Sequence, residues 1–117
     1  MITFYGYDNC DTCRKAKKAL AAAGVEFKDV AITENPPSQK LLRDIIKSGD
    51  YKLSDLFNRS GVLYREMKLK GKLKDMSESQ AIKLLADNGK LIKRPIVSDG
   101  KKHTVGYKPD VFDEAWL

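Results

Sequence analysis

The strongest constraint on this chain is where its two cysteines stand. Cys10 and Cys13 lie within Tyr7-Asp8-Asn9-Cys10-Asp11-Thr12-Cys13-Arg14-Lys15, directly after a short apolar run, Ile2-Thr3-Phe4-Tyr5, and they open a stretch of helical period. The run reads as a strand, so the pair sits where a strand hands over to a helix. A thiol reacts as its thiolate, and a helix N-terminus offers unpaired backbone N–H groups and the positive end of the dipole to stabilise that charge. Cys10 is therefore the expected nucleophile. Cys13 follows one turn later on the same helix face and is the expected resolving thiol, able to attack an adduct formed on Cys10. Arg14, Lys15, Lys17 and Lys18 are expected to lower the thiol pKa further.

Other uses of a cysteine pair fit less well. A structural zinc site needs four ligands, and beside the cysteines the chain carries a single histidine, His103. No metal and no bound cofactor are expected. No signal peptide is expected before the first strand, and no apolar run approaches the ~18 residues that span a bilayer. The expected setting is cytoplasmic, without membrane contact. A reducing cytosol favours a catalytic or redox-sensing dithiol over a lasting cross-link.

At 117 residues, with 42% apolar and 32% charged side chains, a single domain and a monomer are expected. The net charge of +6 favours anionic partners without choosing among them. The densest basic run, Lys68-Leu69-Lys70-Gly71-Lys72-Leu73-Lys74, has no interleaved aromatic residue to stack on bases. It reads as a solvated loop or face, and direct nucleic-acid binding is not expected.

After the cysteines, Cys13, Ala16, Ala19, Leu20 and Ala23 form one apolar stripe and Gly24 ends the helix. Val25–Ile32 alternates apolar and polar residues as a second strand does, which implies a parallel pair with a right-handed crossover. Asn35-Pro36-Pro37 is a turn, Ser38 a helix N-cap, and Leu41, Leu42, Ile45 and Ile46 an apolar face that closes at Ser48-Gly49. From Lys52 to Asp75 the period is helical in pieces, with Gly61 and Gly71 as the expected breaks. Ser77-Glu78-Ser79-Gln80 is a capping box, and Asn88-Gly89 stops the helix it opens. Pro95–Ser98, the turn Asp99-Gly100 and His103–Tyr107 read as a β-hairpin, and Pro109 opens a last helix.

The order β-α-β, helical middle, β-β-α is that of a thioredoxin-like fold. In such a sheet the loop before the third strand faces the Cys-x-x-Cys helix end, so Arg94 is expected to bring its guanidinium fork beside Cys10. Arg94 precedes Pro95 and must be extended; the isomer of that bond is left open.

The strand running into Cys10, Asn35-Pro36-Pro37-Ser38, Leu56-Phe57-Asn58-Arg59 with Tyr64 after it, Arg94-Pro95-Ile96-Val97 and Val105-Gly106-Tyr107 together resemble the ArsC family. This is the arsenate reductase group that includes the Spx redox regulators. The resemblance covers essentially the whole chain. It implies a thioredoxin-like α/β fold, one domain over 1–117, with a helical insertion over roughly 38–89. For arsenate reductases it implies a nucleophilic cysteine, matched by Cys10, and three oxyanion-binding arginines. Arg94 matches one of them. Asn58, with Arg59 beside it, holds the middle position, and Lys108 holds the one before the C-terminal proline.

The expected oxyanion- or substrate-binding set is therefore Arg59, Arg94 and Lys108, with Asn9, Thr12 and Pro95. The residue three after the nucleophile, usually small and hydroxylic in the reductases, is Cys13 here. That arrangement is similar to the Spx branch, in which an intramolecular disulfide serves as a switch and the protein binds the RNA polymerase α subunit. Two functions are thus expected as alternatives. One is a thiol-dependent reductase of a small oxyanion or a protein disulfide, restored by glutathione with glutaredoxin or by thioredoxin. The other is a redox-sensing regulator that contacts RNA polymerase.

Overall fold

A computed structural model describes residues 2–117. In chain order it contains β1 (Ile2–Gly6), α1 (Asp11–Ala22), β2 (Phe27–Ala31), α2 (Gln39–Lys47), α3 (Val62–Glu66), α4 (Leu69–Lys72), α5 (Glu78–Asp87), β3 (Ile96–Ser98), β4 (His103–Val105) and α6 (Pro109–Trp116), with short 3-10 turns at Leu53–Leu56, Leu73–Asp75 and Gly89–Leu91. The chain divides into two compact units, one formed by the residues up to Ala31 with Arg94–Leu117, the other by Ile32–Lys93.

The first unit holds a four-stranded sheet in the order β2-β1-β3-β4. β1 runs parallel to β2, with Ile2 opposite Phe27 and Gly6 opposite Ala31, and antiparallel to β3, with Phe4 opposite Val97. The crossover through α1 is what makes the first pairing parallel, because two parallel strands cannot be joined by a tight turn. β3 and β4 form the hairpin around Gly100, whose φ of +94° is open to glycine at no steric cost. Phe4, Val97, Cys13, Ala16, Leu20 and Phe112 pack as one buried cluster. α1 and α6 thus bury their apolar stripes against one face of the sheet, each fully buried side chain contributing about 1.5–3 kcal/mol.

Local chemistry accounts for the helix ends. Gly24 takes φ +72° after Ala23, whose N–H donates to Ala19 O at 3.2 Å. Ser38 Oγ accepts from Leu41 N at 3.1 Å, and Ser77 and Gln80 complete the reciprocal capping box. Pro109 occupies the first turn of α6. These are the elements that the sequence pattern predicts.

In the second unit one expectation changes and another is narrowed. Gly71 breaks nothing, since it lies inside α4, and the chain turns instead at Lys68, a non-glycine residue at φ +54°. The stretch Lys68–Lys74, expected as a loop or a solvated face, is the second of these: Lys68, Lys70, Lys72 and Lys74 are exposed, and the chain winds into α4 and a 3-10 turn around the buried Leu69. A single large apolar anchor outweighs the helix cost of glycine, about 1 kcal/mol.

Gly89 is held to glycine by packing. A Cβ at this buried position would lie 2.0 Å from the carbonyl oxygen of Ile32 and 2.9 Å from Thr33 Cα. These are backbone atoms, which cannot swing aside. Gly89→Ala is expected to destabilise the protein by about 1–3 kcal/mol, read as a lower urea midpoint at unchanged slope; an unaltered midpoint contradicts the close approach.

Candidate active site

Cys10 is the N-cap of α1, extended at φ −133° and ψ 115°, and its sulfur accepts a hydrogen bond from Cys13 N at 3.3 Å. The Cys10 carbonyl accepts from Arg14 N at 3.0 Å, the first turn of the helix. The Cys10 sulfur thus takes the place of the usual serine or aspartate oxygen as acceptor for the helix's unpaired N–H groups. Cys10 is half-buried and Cys13 buried, and both are free thiols.

The electrostatics separate the two sulfurs. Burial pushes the Cys10 thiol up, but hydrogen bonds from the Cys13 side chain and backbone, with the charge and hydrogen bond of Arg94, outweigh it. The result lies below the ordinary thiol value. Burial pushes Cys13 up as well, and donating its proton to Cys10 and facing the Cys10 charge push it further, to about 12. At neutral pH Cys13 is therefore a neutral donor toward the Cys10 sulfur. Burial, the largest cause, holds Cys13 up whatever the state of Cys10; the acceptor and the charge of Cys10 add to it, and Arg94 acts in the opposite sense.

Arg94 belongs to this arrangement through a contact the sequence reading missed. Its guanidinium carbon lies 5.0 Å from the centre of the Tyr7 ring, a cation–π contact beside Cys10. Tyr7 is exposed over part of its surface, with a backbone N–H that hydrogen-bonds the Cys13 sulfur. An aromatic residue three before the nucleophile, at the end of a strand, was the available signal. Arg94-Pro95 is a cis peptide, and Gly106 N donates to the carbonyl of the buried Pro95 at 2.8 Å, tying the Arg94 loop to the end of the hairpin.

The remaining expected residues lie in several places. Asn9 is exposed in the turn before α1, Thr12 is exposed in its first turn, and Lys108 is the exposed N-cap residue of α6. Arg59 belongs to the second unit, where it lines a cavity with Lys52, Lys70 and Lys74. The basic residues of α1 do not serve the thiols as expected. Arg14 pairs with Asp11 and donates to Asp8 O at 2.9 Å, and Lys17 pairs with Asp29 at 2.7 Å. Their charge is spent on carboxylates one turn or one strand away.

The different sulfur environments set an expectation for alkylation by iodoacetamide. Cys10 is modified first, with a rate that rises with pH around a midpoint below the ordinary ~8.5, while Cys13 stays unmodified near neutrality. Equal labelling of both cysteines by peptide mass, or a midpoint at the free-thiol value, contradicts the assignment.

Comparison with known proteins gives the family. The family model described as "ArsC family" matches residues 5–115. A relative from Bacillus subtilis, the uncharacterized protein YusI, is 49% identical over 98% of both chains. The global transcriptional regulator Spx 2 of Lactococcus lactis is 29% identical over 94% of this chain and 82% of its own length. Among solved structures, a possible arsenate reductase from Streptococcus mutans superposes with a TM-score of 0.88 at 38% identity, covering 97% of this chain and 98% of that one. The α/β fold is thioredoxin-like, and with a match that runs from within β1 to within α6, the chain belongs to the ArsC family.

Proposed function

We infer that this chain is a thiol-disulfide oxidoreductase of arsenate-reductase type, with Cys10 as nucleophile and Cys13 as resolving thiol. The observation that carries this reading is the opposed tuning of two hydrogen-bonded sulfurs, one lowered and one raised to about 12, beside Arg94. Likeness to the Streptococcus mutans protein supports the oxyanion as substrate class.

With an arsenate-like oxyanion, the Cys10 thiolate displaces a hydroxide from the central atom, which leaves as water, and forms a sulfur–oxyanion adduct. Arg94 steadies the negative oxygens. Cys13 then loses its proton and attacks the Cys10 sulfur. The Cys10–Cys13 disulfide forms, and the central atom departs with the electron pair of the broken bond, reduced by two electrons. With a disulfide substrate, the same two attacks release the two substrate thiols in turn. An external dithiol or glutathione with glutaredoxin supplies two electrons to restore the pair.

Turnover of arsenate by the reduced protein, with glutathione and glutaredoxin or with thioredoxin, and its loss in Cys10→Ser, tests the reading. The likeness to Spx 2 supports a second one, in which the same disulfide switches a surface that contacts the RNA polymerase α subunit without turnover. No turnover with either donor, together with redox-dependent binding to the isolated C-terminal domain of polymerase α, selects the regulator.

A further inference from the structure

The second unit carries a cavity of about 710 Å³ that the cysteine chemistry does not use. Four cations line it: Lys52, before the 3-10 turn Leu53–Leu56; Arg59, in the loop before α3; Lys70, in α4; and Lys74, in the 3-10 turn Leu73–Asp75. No carboxylate shares the lining. Among the described residues none of the four is in an ion pair. Four like charges gathered around one concavity repel one another, the more so where no carboxylate shares the lining. The arrangement is relieved when a multiply charged anion enters.

The backbone supports the same placement. The chain is brought from α3 into α4 through Lys68 in the left-handed region, a conformation that non-glycine residues adopt at a cost. Strain of this kind persists where the surroundings enforce it, and such positions cluster at ligand sites. The turn leads directly into the helix that carries Lys70.

Size and lining limit the occupant. A single inorganic phosphate fills a small part of this volume, and pockets of 300–1,000 Å³ are those that seat drug-sized molecules. Leu53, Leu73 and Tyr64 add apolar and aromatic surface for which a bare ion has no use. Tyr64 is held by an edge contact to Phe57, ring centres 6.2 Å apart, so that surface is fixed in advance. We propose that this cavity binds a small organic diphosphate, its phosphates held by Arg59 and the three lysines and its apolar body seated on Tyr64, Leu53 and Leu73.

The test is a titration of the full chain, followed by backbone amide shifts, with ADP, inorganic pyrophosphate and adenosine as probes. ADP is expected to move Leu53, Tyr64 and Leu73 along saturating curves. Pyrophosphate moves the same residues at least about tenfold more weakly, and adenosine gives no saturation. Lys70→Glu with Lys74→Glu weakens ADP by about a hundredfold; should that pair fail to fold, Arg59→Gln is read in its place and weakens ADP about tenfold. Cys10→Ser binds ADP as the parent does, so the outcome is independent of the redox reading.

Three results overturn the proposal. One is the absence of saturable shifts at the cavity below about 10 mM ADP. Another is pyrophosphate binding as tightly as ADP, which leaves only a bare anion patch. The last is a short DNA duplex that displaces ADP and binds these residues more tightly at physiological salt, which assigns them to a nucleic-acid backbone.

Discussion

Cys10→Ser is expected to abolish thiol-dependent turnover, by on the order of 10⁴-fold or more, while leaving the protein as stable as the parent or slightly more so. The two halves of this expectation come from the same atom. A serine hydroxyl ionises far above neutral pH and leaves no nucleophile, so the first covalent step is lost. Yet the Cys10 sulfur also accepts from Cys13 N as the cap of α1, and serine is among the best residues for that task, worth about 1 kcal/mol over a non-capping one. Loss of function with an unchanged urea midpoint therefore locates the effect in chemistry.

The companion variant should be Cys13→Ala, because Cys13 is 1% exposed among Phe4, Ala16 and Leu20. A buried serine hydroxyl there costs about 1–3 kcal/mol. Cys13→Ala retains the first attack and loses the second, so with oxidised glutathione as the disulfide substrate Cys10 breaks its S–S bond, releases one glutathione as thiol and keeps the other as a mixed disulfide, seen as one added glutathione by mass. If Cys10→Ser keeps its turnover and Cys13→Ala does not, the roles assigned to the two sulfurs are reversed.

What the sequence discloses about this site follows from the range of the forces involved. The strand, the helix start and the Cys-x-x-Cys pair are adjacent in the chain, and periodicity with capping chemistry suffices to order them. Ser38, Ser77 and Gln80 act on backbone groups two or three residues away and are legible for the same reason. Arg94 stands more than eighty residues from Cys10 in the sequence, and its place beside the sulfur is legible once the strand order is inferred, because β1 and β3 are neighbours in the sheet.

The misses are matters of competition between nearby side chains. Arg14 and Lys17 are on the right helix, but Asp11 and Asp29 are closer partners than the thiols. The break at Lys68 instead of Gly71 depends on where Leu69 finds its burial, which no local propensity encodes. The gathering of Lys52, Arg59, Lys70 and Lys74 around one cavity likewise requires the packing of three short helical segments, so the sequence shows only a basic run.

Arg94 carries the second large effect. It is the permanent charge that acts on both thiols, lowering each, and it stands against the Tyr7 ring. Arg94→Ala is expected to raise the Cys10 pKa toward the ordinary thiol value and to cut turnover by about 10²–10³-fold, the usual cost of removing one preorganised donor to a developing anion. Arg94→Lys recovers part of the pKa shift through its charge but little of the turnover, since an ammonium lacks the planar fork that grips two oxygens. The stability difference has a definite pH dependence. The folded state holds Cys10 below its unfolded value, so its contribution is fully present above about 8.5 and is lost as pH falls through the folded-state pKa. The parent is therefore more stable than Arg94→Ala at alkaline pH, and the two converge on acidification. Urea midpoints of both proteins across that range check the sign. A gap that widens toward acid, or an alkylation midpoint for Cys10 that does not move in Arg94→Ala, removes the guanidinium from the mechanism and leaves the helix cap and Cys13 as the sole support of the thiolate.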